Sequence, residues 1–244
     1  MRDEYRSGAG TGMSQEKPAI LLASPRHTLA LCGIVLLLVL LGAFHASGKA
    51  PASNIAEPAA MLKNNLTMIG LLWLWVYFVY KGMRDYSQSV LQFFGLKSLK
   101  PGDLLGDLAV AVLGFGLIFL CSSGVHALLP ETAAANPLLS ATPRGLAGIA
   151  AWISLSISAG ICEEIVFRGY LQRQLASISG KVAIAIAAQA LVFGLGHAYE
   201  GLASVSAIIL HGLILGVMAH WRGNIRAGII EHAGWDLLAG FSVI

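Results

Sequence analysis

Runs such as "GIVLLLVLLGAF" (33–44) return along the chain with few charges between them, and this constrains the fold more than any other feature. An apolar stretch of about 20 residues must satisfy its backbone hydrogen bonds internally once it leaves water, so it crosses a membrane as a helix. Of the 244 residues, 56% are hydrophobic and 12% charged, against about 25% charged in soluble domains, and the mean hydropathy is +0.72. The sequence therefore predicts an all-α polytopic membrane helix bundle of about seven transmembrane helices, within a range of six to eight. The net charge of +3 is small and scattered. No basic ribbon tracks phosphates, which excludes nucleic acid as a partner and leaves the lipid bilayer. Cys32, Cys121 and Cys162 lie unpatterned in apolar stretches and are read as packing residues.

Residues 1–28 are polar and aperiodic, the pattern of a flexible cytoplasmic tail. Residues 29–144 hold the N-terminal spans: Leu29–Ala46, a span centred on Leu66–Tyr80, and Leu104–Leu129. The first is read as a retained anchor, because Phe44 stands where a cleavage site before Ser47 needs a small residue. Pro/Ala-rich loops are expected at 47–65 and 130–143. Between Lys81 and Asp103, Tyr86, Val90, Phe93, Phe94 and Leu96 recur at roughly helical spacing beside basic residues, which predicts a helix lying in the membrane interface. Residues 145–244 supply a long fourth helix, Gly145–Leu175, and three more beginning near Lys181, Gly201 and Asn224.

Basic residues orient this arrangement. Arg2, Arg6, Lys17 and Arg26 precede span one, Lys81, Arg84, Lys97 and Lys100 follow span two, Arg168, Arg173 and Lys181 surround the fourth-to-fifth turn, and Arg222 and Arg226 lie at the sixth-to-seventh turn. All fall on one side of a seven-span chain, and the positive-inside rule makes that side, with the N-terminus, cytoplasmic. The opposite loops carry mainly Lys49, Lys63 and Arg144.

Against this apolar background "SISAGICEEIVFRGYLQRQL" (156–175) sets two adjacent carboxylates in a span, at about 2.5–3.5 kcal/mol each on insertion scales. Glu164 and Arg168 are an i,i+4 pair in the favourable order, while Glu163 points about 100° away. One carboxylate is neutralised by its arginine and the other is free for chemistry. At about 1.5 Å of rise per residue from the shared turns, Glu163 and His197 lie at about 22 and 28 Å, His211 and His232 at about 15–17 Å, and Asp236 at about 21 Å. Ionisable groups from four consecutive helices thus converge near the bilayer middle. Asp236 lies i,i+4 from His232, where it can accept an imidazole N–H. Phe193 lies one turn below His197, where it can pack on the ring.

"EEIVFR" (163–168), "FGLGH" (193–197) and "HAGWD" (232–236) resemble, in order, the EExxxR, FxxxH and HxxxN/D motifs of the CPBP or Abi family, intramembrane proteases of the CAAX-prenyl-endopeptidase type. The resemblance covers roughly residues 145–244 and implies a four-helix catalytic core. It implies that Glu163 is the general base that activates water, that His197 helps bind this water, and that His232 with Asp236 lines the oxyanion site. Glu164 and Arg168 would support the glutamate. Many members carry Asn at the last motif position; an ionised Asp236 cannot donate to an oxyanion and instead orients and charges His232. His211 matches no family motif and is read either as an extra polar residue of the cavity or as an interhelical hydrogen-bonding residue.

The family has been described both as metalloprotease and as metal-independent glutamate protease. Glu163, His197 and His232 could supply the ligands of a catalytic zinc or other divalent metal, but the chain has no HExxH sequence. The glutamate mechanism is favoured because it gives Glu163 a role without a separate base. The expected activity is hydrolysis of a peptide bond in a membrane-associated protein or peptide substrate, in a prokaryotic plasma membrane. A carrier of protons or metal ions, and an idle immunity or scaffold protein, are the alternatives; the first lacks support from any internal repeat.

Overall fold

The computed structural model describes residues 20–47, 58–96, 99–129, 143 and 145–241, without the side chains of 38–47 and 58. The described residues form helices and turns and no strand. The helices are α1 (Pro25–Ser47), α2 (Pro58–Arg84), α3 (Pro101–Leu128), α4 (Gly145–Ser179), α5 (Val182–Leu195), α6 (Leu202–Arg222) and α7 (Arg226–Phe241). Among the described residues α2, α3, α4 and α6 are long and apolar enough to cross a membrane, so the chain is an integral membrane protein.

Three expectations need correction. Residues 20–28 are not part of a free tail: Leu22 and Ala23 are buried, because the Gln174 side chain accepts from Leu22 N–H at 2.7 Å and donates to the Ala23 carbonyl at 2.7 Å. Residues 58–65 belong to α2 rather than to the preceding loop. The expected interfacial helix is replaced by the end of α2 and a short 3₁₀ helix, Val90–Phe94. Its Phe93 is fully buried and lies against Gly169 of α4, so this aromatic serves the core rather than the lipid surface. Lys97 of that segment, like Arg2, Arg6, Lys17, Lys49 and Arg144, lies outside the described residues.

The C-terminal helices come together through small residues and buried amides. A Cβ on Gly212 would meet the Ala190 backbone at 3.0 Å, and one on Gly160 would meet Ala233 N at 2.8 Å, so α6 sits close on α5 and α7 close on α4. In the narrow space so formed, Gln189 donates to the Gly212 carbonyl and Gln172 to the Gly216 carbonyl, each at 2.9 Å. In hydrocarbon an interhelical hydrogen bond contributes about 0.6 kcal/mol on average, so close packing is the larger part of this association.

At the basic end an ion triad fixes the α6–α7 turn. Asp107 of α3 is completely buried, and its two oxygens accept from Arg222 at 2.7 Å and Arg226 at 2.5 Å. Arg226 also donates to the Phe94 carbonyl, and Ile225 N–H to the Phe93 carbonyl. The two arginines thus do more than set orientation. Asp107→Ala is expected to cost about 2–3 kcal/mol, below the 3–5 kcal/mol of fully buried pairs because the arginines are partly exposed. Thermal unfolding in detergent should show the loss, and a variant as stable as the parent would rule the triad out as a clamp.

Candidate active site

The site begins where α4 changes its winding. After Glu163 the helix runs as a π-helix over Glu164–Leu171 and then returns to α geometry at Gln172. Such wide turns are rare and recur at functional sites. All eight residues of the π segment are buried. Glu164 and Arg168 form an ion pair of 2.7 Å with no exposure of either side chain, and the guanidinium lies 4.3 Å from the centre of the Phe193 ring, within cation–π range. Gly228 of α7 gives Glu164 its room, since a Cβ there would meet Glu164 Oε2 at 2.6 Å.

Glu163 stands one residue before the π segment, without a share in the Arg168 pair. Its Oε2 lies 3.7 Å from His232 Nε2, and Asp236 Oδ2 lies 3.8 Å from the same nitrogen. The other ring nitrogen, Nδ1, donates to Glu164 Oε1 at 3.2 Å. His232 therefore links the locked glutamate to the free one. Both of its nitrogens face carboxylate oxygens, which a ring bearing two N–H groups satisfies.

His197 follows the end of α5 and leads into the short 3₁₀ turn Ala198–Glu200. Its Nδ1 lies 2.9 Å from the Phe193 carbonyl, which can only accept. The proton is thereby assigned to Nδ1, and in the neutral ring Nε2 is left as an acceptor. Phe193 joins the two imidazoles: its ring is edge-on to His197 at 5.1 Å and to His232 at 5.8 Å. Thus Glu163, His232 and Asp236 come together directly, and His197 joins them through Phe193.

His211 adds an interhelical bond of its own, donating from Nε2 to Glu231 Oε2 at 2.8 Å, with its ring 5.5 Å from that of His232. Glu231 went unnoticed in the sequence although it is 2% exposed. The signal was available: it is a carboxylate beside His232, and counted from the Arg222 turn it falls at the depth of His211.

Residues 145–238 match the type II CAAX prenyl endopeptidase Rce1-like family. The match spans α4 to most of α7, close to the stretch on which the three motifs lie, and leaves residues 1–144 outside it. No curated protein and no solved structure matches the chain. The matched segment therefore contains every ionisable group described at this site, and Asp107 of α3 lies outside it.

Among the described residues no three histidine, cysteine or carboxylate groups are placed to hold a metal ion. Glu163, His197 and His232 do not close a ligand set as they stand. His232 and His197 each engage Nδ1 with an oxygen, of Glu164 and of the Phe193 carbonyl, which leaves Nε2 as the remaining nitrogen of each ring.

Because Glu164 is buried on all sides, its partner cannot be removed alone. Arg168→Met is expected to cost about 3–5 kcal/mol by leaving the buried carboxylate with His232 alone, whereas Glu164→Leu with Arg168→Met restores part of the loss. Thermal unfolding of the two variants checks this, and equal destabilisation would remove the ion pair as the cause.

Proposed function

We propose that the protein is an intramembrane endopeptidase of the CAAX-protease type, hydrolysing a peptide bond of a membrane-associated polypeptide by glutamate-activated water. The observation that carries this is the division of the paired carboxylates: Glu164 is closed off by Arg168 and His232, while Glu163 keeps 14% side-chain exposure beside His232 Nε2. A base must reach both water and substrate, and of the two only Glu163 can.

In this reading Glu163 takes a proton from water as its oxygen attacks the scissile carbonyl carbon. His197 Nε2 accepts a hydrogen bond from the second O–H of the water, which stays on the attacking oxygen, and so holds the water in place. The His232 Nε2–H donates to the oxyanion as it forms, where a preorganised donor in low dielectric is most effective. Asp236, one helical turn along α7, orients that ring. Glu163 then returns its proton to the leaving amine as the tetrahedral intermediate collapses. His211 and Glu231 hold α6 to α7 behind the ring. In this reading the protein acts in a prokaryotic plasma membrane, in keeping with the compact chain, and the distribution of basic residues supports a cytoplasmic N-terminus.

Comparative peptide mass spectrometry of membranes containing the parent or Glu163→Gln protein tests the reading and finds the substrate. Cleavage is expected to fall by about 10²–10⁴-fold, the usual contribution of a general base, and retained cleavage would exclude Glu163. In the same assay a chelator should leave the parent's cleavage unchanged; its loss would require a metal.

A further inference from the structure

Among the described residues four arginines are withdrawn from water, and three of them have a carboxylate. Arg168 is paired with Glu164, and Arg222 and Arg226 share Asp107. Arg173 is the exception. It is half-buried, donates from Nη2 to the Gly223 carbonyl at 3.1 Å, and holds its guanidinium carbon 5.2 Å from the centre of the Phe93 ring. Neither contact neutralises the charge, and a guanidinium taken out of water calls for an anion.

Arg173 borders a cavity of about 240 Å³ between the α4–α5 and α6–α7 turns. Ala176 of α4, Val182 at the start of α5 and His220 near the end of α6 form much of its wall, and no lining residue is acidic. Arg168 and Gln172 close it on the inside. Both are buried, and Arg168 Nε and Nη2 and Gln172 Oε1 have no hydrogen-bond partner, so this end suits a polar occupant and not a hydrocarbon chain. At about 30 Å³ per water the space holds roughly eight waters, far more than one bridging water and enough for a phosphate with its glycerol. The surroundings are those of a membrane interface. Ile178 and Trp221, beside the two turns, are 50% and 71% exposed, and tryptophan at the end of a span sits at headgroup level.

We infer that this cavity binds the phosphate group of an anionic phospholipid. Arg173 supplies the counter-charge, His220 a second donor at the rim, and the acyl chains leave along the apolar surface at Trp221. Basic pockets between transmembrane helices take anionic headgroups for this reason. A headgroup held there braces the α4–α5 turn against the α6–α7 turn, which the single bond from Arg173 to Gly223 otherwise joins across the cavity. Glu163 and His232 do not line the cavity, and the inference stands apart from the endopeptidase reading.

Binding to the full chain in dodecyl maltoside tests it, with native mass spectrometry to count bound molecules and thermal unfolding to follow stability. Dioleoyl-phosphatidylglycerol should bind and raise the unfolding temperature, while dioleoyl-phosphatidylcholine and inorganic phosphate should each bind about tenfold more weakly. Arg173→Gln should weaken phosphatidylglycerol binding by about tenfold, the loss of one charge-assisted contact. Ala176→Leu narrows the cavity and keeps every charge; it should weaken binding too, and it decides the matter if Arg173→Gln does not fold. Lys181→Gln removes an exposed cation at the same end, outside the cavity wall, and should bind like the parent. Equal binding of the two lipids, undiminished binding by Ala176→Leu, or a loss in Lys181→Gln as large as in Arg173→Gln would each overturn the proposal. Inorganic phosphate binding as tightly as phosphatidylglycerol would make the occupant a free anion and overturn the lipid assignment.

Discussion

The buried ion pair of Glu164 and Arg168 is the interaction on which the site depends. Neither group tolerates hydrocarbon alone, and the pair offsets its desolvation only with further contacts. Phe193 supplies one under the guanidinium and His232 another at the carboxylate. Satisfying the pair therefore draws α5 and α7 onto α4 at a single level. The residues used for this, Phe193 and His232, are also those that position His197 and face Glu163. Cohesion and chemistry share side chains, and the two glutamates divide the roles.

Around that centre, the membrane supplies little drive for helices to associate, since lipid is as apolar as leucine. Contact area must come from shape. Gly212 and Gly160 let backbones approach, and Gly216 leaves room for the side chains of Gln172 and Gln189, which bind main-chain carbonyls. Farther out, Asp107 and its two arginines hold α3 to the α6–α7 turn. The π segment lies between these two fastenings, where its wider turn is supported on all sides.

Much of this was legible in the sequence, because hydropathy and helical spacing are local. The seven helices lie close to the expected spans, and the i,i+4 relation of Glu164 to Arg168 predicted which glutamate is locked. Depth counting from the turns brought His211 and His232 to one level, and their rings lie 5.5 Å apart. What was not legible depends on tertiary partners. Nothing local says that Gln174 will bind residues 22 and 23, that Phe93 will be buried, or that Asp107 will meet two arginines more than a hundred residues away. The π winding was not legible either, since no local residue pattern marks it; the eight residues that adopt it are all buried.

The central claim is the division of labour between the adjacent carboxylates. Thermal unfolding of Glu163→Gln and Glu164→Gln, measured side by side in the same detergent, tests it most directly. Glu163→Gln should unfold with the parent, because its carboxylate makes no short bond. Glu164→Gln should unfold well below it, because Arg168 loses its charge partner and becomes an unpaired buried cation. Equal stability of the two variants, or a larger loss in Glu163→Gln, would contradict the account.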